Sequence, residues 1–255
     1  MAGIIARDFS ADAGISGLYD LARAKAEALS RKISAKDLTK DNLRELVSCS
    51  QLVIECASSL YSWDIAKASL CQGRDILIMS VGGVIDRFEG LLRLARRYRA
   101  RVYIPSGAIC GVDALKAARL SAIKSVTLTT RKHPLSFKGV KYVLQKRIDL
   151  GRISGERVLF SGTAKAAVRY FPQNINVAAL LSLAGIGQDK TRVRIIADSS
   201  TRRNIHEVSV ESDSGRIIAR TENVLHPDNP KTSYLAVSAA AATLKQIFDP
   251  VRIGT

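Results

Sequence analysis

The feature that most constrains the fold is an alternation of short apolar stretches with amphipathic ones over the first 105 residues. Apolar runs at 52–57, 75–83 and 101–104 end at or near small residues, and the segments between them have helical spacing. A further short strand is predicted at 15–20, ending in Asp20. Strands that alternate with helices in this way are joined by right-handed crossovers and lie parallel. We therefore expect an α/β fold with a Rossmann-like doubly wound parallel sheet.

The pattern changes at about residue 123 to longer, more polar strands, which predicts an α+β domain with a mostly antiparallel sheet. We expect a dinucleotide-binding domain at 1–105, a catalytic and dimerisation domain at 106–231, and a C-terminal helix at 232–255 that packs back on the first domain. Strands are predicted at 126–130, 140–144, 157–161, 192–198, 204–212 and 215–222, and helices at 163–171, 175–183 and 232–248.

A bend of small residues, Ser106-Gly107-Ala108, follows the apolar run that Pro105 ends. Open α/β sheets bind ligands at the carboxyl ends of their strands, where a backbone without bulky side chains can approach a flat cofactor. This bend is therefore a candidate cofactor contact. The alternative is an ordinary strand-to-helix loop.

The net charge of +16 raises the hypothesis of nucleic-acid binding. However, the 39 basic residues are spread along the chain, and the tight cluster Arg96-Arg97-Tyr98-Arg99 with Arg101 falls on the polar face of a predicted helix. A solvated helix face is the favoured explanation of this cluster, and the surface ion networks of a thermophile are a second explanation of the charge. We expect no nucleic-acid partner.

Other bulk features point to a cytoplasmic protein without a membrane span, since no apolar run reaches the roughly 18 residues that a span needs. The four cysteines have neither the spacing of metal ligands nor the density of a disulfide scaffold. We expect buried free thiols and no metal site.

A dinucleotide fold normally has a strand and a G-x-G-x-x-G loop about 20 residues before an acid such as Asp20. The chain has neither, although Gly3 could be the last glycine of such a loop. Because that first strand is the centre of the sheet, we expect the first domain to be an N-terminally incomplete version of a longer one. The alternative is a degenerate domain that no longer binds cofactor.

Asparagines concentrate in three short motifs, at 171–178, 203–206 and 226–233. Amide side chains both donate and accept hydrogen bonds and can therefore orient a ligand. Asn174 can instead simply cap the following helix. The third motif, which contains Lys231, joins a fixed turn, a cation and two hydroxyls at a helix start, where a carboxylate can bind; an ordinary helix start capped by Thr232 is the alternative.

His206 lies in a strand of alternating pattern, on the same face as Asn204. A histidine in a strand is often only a structural group. Its chemistry nevertheless suits proton transfer near neutral pH, or pairing with a substrate carboxylate. His133 and His226 each precede a proline and are interpreted as loop residues.

Six short motifs follow one another along the chain: Glu55-Cys56-Ala57-Ser58, Ser80-Val81-Gly82-Gly83, Pro105 to Ile109 with Gly111 and Asp113, Phe171-Pro172 to Ala178, Asn204-Ile205-His206, and Asn229-Pro230-Lys231-Thr232-Ser233. In this order they resemble the L-aspartate dehydrogenase family of archaea and bacteria, over roughly the whole chain from Gly3 to the final helix.

The resemblance implies an NAD(P)-dependent oxidation of L-aspartate to iminoaspartate, which hydrolyses to oxaloacetate and ammonia or enters NAD biosynthesis. It also implies a homodimer and a set of site residues. Asp20 would favour NAD over NADP, because its charge repels a 2′-phosphate. The implied roles are His206 as the active-site histidine, Ala108 and Asn174 at the nicotinamide, Asp20 at the adenosine ribose, Ser80, Gly82 and Gly107 as further cofactor contacts, and Asn176, Lys231, Thr232 and Ser233 at the substrate.

Two hypotheses about a different kind of function remain open. The chain could be a non-catalytic dimeric scaffold whose cofactor domain is degenerate. It could also be a basic nucleic-acid-binding protein, for which the arginines near Arg97 are the sole support.

Overall fold

The computed structural model describes residues 1–171, 175–226 and 229–254, and the chain divides into two compact units. The first comprises residues 1–105 and 240–251, and the second runs from Ser106 to Ala239 with the last residues from Arg252 onward. The helices are α1 (Ala2–Asp8), α2 (Arg23–Ile33), α3 (Leu43–Ser48), α4 (Ser62–Cys71), α5 (Phe88–Tyr98), α6 (Val112–Ala118), α7 (Lys141–Gln145), α8 (Ala164–Tyr170), α9 (Ile175–Ala184) and α10 (Tyr234–Phe248). The strands are β1 (Leu52–Glu55), β2 (Asp75–Ile78), β3 (Val102–Tyr103), β4 (Ile123–Lys132), β5 (Glu156–Thr163), β6 (Arg192–Asp198), β7 (Asn204–Ser212), β8 (Gly215–Asn223), β9 (Leu225–His226) and β10 (Asn229–Ser233).

The first unit contains a parallel sheet of order β1-β2-β3 with helices on both faces. Its apolar residues form two clusters, because successive side chains of a strand point to opposite faces. Burying both faces explains why these strands are continuous apolar runs. One cluster joins Val53, Ile76 and Ile78 to Ala66, Leu70 and Leu91 of α4 and α5, and the other joins Leu77 to Ile5 and Phe9 of the N-terminal segment and to Ala240 and Leu244 of α10.

The second unit contains a five-stranded sheet of order β5-β6-β4-β7-β8. The pair β4–β6 is parallel and the other three pairs are antiparallel. Five aromatic rings pack edge-on or tilted against one another beside β5, and they anchor α7 and α8 to it. The predicted fold class, a parallel Rossmann-like sheet plus a mostly antiparallel domain, is therefore confirmed.

Three local predictions are wrong. The strand expected at 15–20 is only an isolated bridge between Leu18 and Thr39. Where a strand is expected at 140–144, the chain instead forms helix α7, whose N-cap residue is Val140. The buried Val140 and Val143 lie three residues apart, the spacing of a helix rather than of a strand. The final helix begins at Tyr234 rather than at residue 232, because residues 229–233 pair with β9 as a strand.

The cysteines are free, as expected, but Cys49, Cys56 and Cys110 are exposed rather than buried. Within the described residues, no helix is both long enough and apolar enough to cross a bilayer. In the same part of the chain, no group of three or more His, Cys, Asp or Glu side chains is placed to hold a metal ion.

Candidate active site

A row of polar side chains crosses three adjacent strands of the second unit. Thr130 of β4 is the register partner of His206 of β7, which is in turn the partner of Thr221 of β8. Side chains of directly opposed residues in antiparallel strands lie on the same face of the sheet. The long-range pairing of β4 with β7 therefore brings together residues that are 76 positions apart.

His206 is 4% exposed, and its Nδ1 lies 3.0 Å from Oγ1 of Thr130. The hydroxyl can donate to Nδ1 or accept from it, so it fixes the ring plane in either tautomer. Burial, followed by the positive charge of Lys132, lowers the pKa of His206 from 6.5 to about 3. The imidazole is therefore neutral near pH 7 and keeps one ring nitrogen able to accept a proton.

Lys132 lies two residues beyond Thr130 on β4 and therefore on the same face of that strand. Burial lowers the pKa of its ammonium group to about 8. Lys132 is thus a cation at neutral pH that loses its charge in mildly alkaline solution. A partly buried cation near a neutral imidazole is suited to receiving an anionic ligand.

The bend at Ser106-Gly107-Ala108 is tied to the same sheet by its backbone. The carbonyl oxygen of Ala108 accepts hydrogen bonds from Oγ1 of Thr221 at 2.9 Å and from Nδ2 of Asn223 at 3.0 Å. Gly107 has a φ of +65°, which disfavours other residues, and nothing lies within 4 Å of where its Cβ would be. The bend is consequently held on one side and open at its glycine.

A cavity of about 410 Å³ lies at the end of β8, beside Thr221 and Asn223. Its wall continues onto the first turns of α10, where Tyr234 stacks on the ring of His226 at a centroid distance of 5.1 Å. The cavity is lined by Thr221, Glu222, Asn223, Val224, Tyr234, Leu235 and Ser238.

The predicted substrate residues lie in two different elements, β10 and α9. Thr232 and Ser233 end β10 directly before Tyr234, and Ser233 is buried. Lys231 belongs to the same strand. Asn176 is an exposed residue of α9, and Asn174 lies outside the described residues.

Three predicted cofactor residues belong to the first unit. Asp20 is exposed, and its Oδ1 accepts a hydrogen bond from the backbone N–H of Ala22 at 2.8 Å. Ser80 is buried, and its hydroxyl already donates to the carbonyl oxygen of Ala57 at 3.0 Å. Gly82 lies in the 3₁₀ turn Val81–Gly83, which begins three residues after the last residue of β2, Ile78.

Comparison with known proteins identifies both units. The family of the aspartate dehydrogenase C-terminal domain matches residues 113–247, and the NAD-binding domain of homoserine dehydrogenase matches residues 1–105. L-aspartate dehydrogenase of Methanococcoides burtonii is 45% identical over 93% of this chain and 89% of its own length. The chain belongs to the aspartate dehydrogenase family. The family's enzyme from Methanosarcina mazei is 43% identical over 96% of this chain and 91% of its own length.

A solved structure of the same family agrees with the fold. Aspartate dehydrogenase from Thermotoga maritima has a TM-score of 0.72 and 28% identity, and the match covers 87% of this chain and 86% of that one. The resemblance inferred from the sequence is therefore confirmed. Membership of this family makes the chain an NAD(P)-dependent dehydrogenase.

Sequence reasoning missed four residues that the fold places beside His206 or Ala108. They carry no local motif, and they come together through strand register alone. One signal was available, because Asn223 is an asparagine in a chain that has few of them, yet it falls outside the three motifs. The four are Thr130, Lys132, Thr221 and Asn223.

Proposed function

We propose that this chain oxidises L-aspartate to iminoaspartate with NAD(P)⁺, and that His206 is its active-site histidine. The observation that carries the proposal is a buried, neutral imidazole fixed by Thr130 beside the Lys132 cation, in a member of the aspartate dehydrogenase family. The reaction removes a hydride from Cα and a proton from the amine. A group that accepts a proton and a group that holds carboxylates are both needed for it.

Residues of each unit, considered separately, suit a part of a dinucleotide cofactor. The exposed carboxylate of Asp20 can accept hydrogen bonds from ribose hydroxyls, and Gly82 follows a strand end with no side chain in the way. The positive φ and the free space at Gly107 would let the backbone there lie against a flat ring. Because the hydroxyl of Ser80 already donates to Ala57, Ser80 would contribute by holding the shape of its loop. Ala108 and Asn174 would lie at the nicotinamide. When bound, the nicotinamide supplies the hydride acceptor.

His206 would take the amine proton of the substrate. With a pKa of about 3 it is a weak base in the free protein. The two carboxylates of bound aspartate would raise that pKa, because nearby negative charge favours the imidazolium form. The substrate would thereby strengthen the base that acts on it.

Lys132 would hold a substrate carboxylate, because a partly desolvated ammonium group forms strong charge-assisted hydrogen bonds. Lys231, Thr232, Ser233 and Asn176 are the further candidates for substrate binding. The first unit would then be the cofactor domain and the second the catalytic domain, which also carries the interface of a homodimer. L-aspartate would be the small-molecule substrate that the second unit binds.

The test is the formation of NADH and of NADPH by the purified chain with L-aspartate, compared with D-aspartate, L-asparagine, L-glutamate and L-homoserine. We expect turnover with L-aspartate alone and a preference for NAD⁺, since Asp20 would repel the 2′-phosphate of NADP⁺. Turnover of L-homoserine without turnover of L-aspartate would contradict the proposed substrate. Analytical ultracentrifugation of the same sample tests the homodimer.

A further inference from the structure

The first unit contains a buried carboxyl group to which the proposed chemistry gives no role. Glu55 is the last residue of β1 and is 1% exposed. An acidic side chain is almost never buried to this extent unless its oxygens are satisfied. The neighbours of this carboxyl group therefore indicate its function.

Both oxygens of Glu55 accept hydrogen bonds from backbone amides of two different loops. Oε1 accepts from the N–H of Ala57 at 2.8 Å, and Oε2 accepts from the N–H of Ser80 at 2.9 Å. Ala57 follows β1, whereas Ser80 follows β2. One side chain thus joins the carboxyl ends of the two adjacent parallel strands.

Two serine hydroxyls extend the connection. Oγ of Ser62, in the first turn of α4, lies 2.9 Å from Oε2 of Glu55 and 3.0 Å from the carbonyl oxygen of Ser80. Oγ of Ser80 donates in the opposite direction, to the carbonyl oxygen of Ala57 at 3.0 Å. The loop after β1, the loop after β2 and the start of α4 are therefore fixed by one network, here called the Glu55 network.

The two loops are also in close backbone contact. A Cβ at Gly83 would lie 2.1 Å from the carbonyl oxygen of Ser59 and 2.7 Å from Cβ of Ser62. These separations are far below a van der Waals contact, so only glycine fits at this position. The loop 80–83 is therefore held against the loop 57–62 both by hydrogen bonds and by close packing.

We infer that Glu55 is a positioning residue for cofactor binding, which acts by holding the loops 57–62 and 80–83 in the shape that receives the dinucleotide. Open α/β sheets bind their ligands at the carboxyl ends of parallel strands, and these two loops occupy that edge of the sheet. The inference rests on the proposed use of NAD(P)⁺ and adds the group that pre-organises its site. Pre-organised loops bind more tightly because less ordering accompanies binding.

The substitution Glu55→Gln tests the carboxylate with almost no change in volume. Whichever way the amide turns, its NH₂ group faces the N–H of Ala57 or that of Ser80, and two donors cannot bond to each other. One loop should therefore be released. We expect the dissociation constant for NAD⁺, measured by calorimetry without aspartate, to rise at least roughly tenfold, the scale of losing one hydrogen bond to a charged group.

Ser62→Ala provides a second variant that leaves both amide bonds to Glu55 in place, with Ser69→Ala as its matched control. Ser69 is equally buried on α4, but its hydroxyl donates only to the carbonyl oxygen of Ile65 in the same helix. We expect Ser62→Ala to weaken NAD⁺ binding several-fold and Ser69→Ala to leave it unchanged. Amide hydrogen exchange at 57–62 and 80–83 should become faster in Ser62→Ala but not in Ser69→Ala.

Several results would overturn the inference. An NAD⁺ affinity within about twofold of wild type in Glu55→Gln, together with a lower melting temperature, would show a purely structural group. If Glu55→Gln does not fold, equal NAD⁺ affinities of Ser62→Ala and Ser69→Ala would overturn the inference instead. A wild-type chain that binds neither NAD⁺ nor NADP⁺ would also overturn it. Wild-type binding of NAD⁺ without aspartate turnover would refute the proposed function but leave the Glu55 comparison intact.

Discussion

The buried polar groups around Glu55 in the first unit and around His206 in the second are built in opposite ways. The carboxyl group of Glu55 accepts hydrogen bonds on both oxygens from backbone amides, so its surroundings hold it in a single arrangement. His206 instead bonds a rotatable hydroxyl and lies near a cation, and both it and Lys132 have pKa values displaced towards the neutral form. The difference separates a group that fixes backbone shape from groups that can exchange protons or bind charge.

The largest effect is expected from His206→Ala. Loss of a general base typically lowers the rate by about 10²- to 10⁴-fold. We expect kcat with L-aspartate to fall on the order of a thousandfold, with NAD⁺ affinity unchanged. The control is His133→Ala, which removes a histidine that caps a 3₁₀ turn. A fall in melting temperature with intact turnover would show that His206 is a structural group and not a base.

The next effect concerns Lys132. Because its pKa is about 8, its positive charge is lost as the pH rises above that value, so the KM for L-aspartate should increase there while kcat changes less. In Lys132→Arg the charge persists, and the increase should disappear. Lys132→Met should raise KM by roughly tenfold or more below about pH 8, and the difference from the wild type should shrink at higher pH. If the pH dependence of KM in Lys132→Arg is the same as in the wild type, Lys132 is excluded as the partner of the substrate carboxylate.

A smaller effect is expected on acid stability. The pKa of His206 is about 3 in the folded protein and about 6.5 when unfolded, so between these values the unfolded chain binds more protons. The contribution of the neutral His206 to the free energy of unfolding should therefore be fully present above about pH 6.5. It should be lost as the pH decreases towards about 3, and the total loss should be on the order of a few kcal/mol. Denaturant titrations of the wild type and of His206→Phe should converge as the pH is lowered. Parallel curves would contradict the pKa shift.

The smallest effect is expected from Asn223→Ala, which removes one of the two donors to the carbonyl oxygen of Ala108. Thr221 still satisfies that oxygen, so the cost should be about 1 kcal/mol of unfolding free energy, the net value of one hydrogen bond. The double variant with Thr221→Val should lose more than the sum of the two single variants, because the oxygen is then left without both donors. Additive losses would show that the bend does not depend on this contact.

Much of the fold could be predicted from local pattern. The apolar runs that became β1 and β2 are buried on both faces, and β6 and β7 have the predicted bounds. The errors occur where a short apolar stretch fits two periodicities, as at 140–144, which forms α7. A five-residue segment is too short to separate a repeat of 2 from one of 3.6, so only its tertiary contacts decided it.

The candidate site was less accessible to sequence reasoning, because its residues meet through strand register. His206 belongs to a short motif, but Thr130 and Lys132 are part of an ordinary strand, and their relation to His206 exists only once β4 pairs with β7. Likewise, nothing local marks Ser62 as a neighbour of Glu55 and Ser80. Motifs locate single residues, whereas their partners follow from topology.

The position of β4 has a consequence for folding kinetics. This strand is third in the order β5-β6-β4-β7-β8, and both of its partners come later in the chain, after β5, α8 and α9. During synthesis β4 must therefore wait, unpaired, until more than sixty further residues have followed, and closing loops of that length slows a two-state domain. The side chains of Thr130, His206 and Thr221 come together only when β7 lies between β4 and β8, so this row cannot form before both strand pairs have formed.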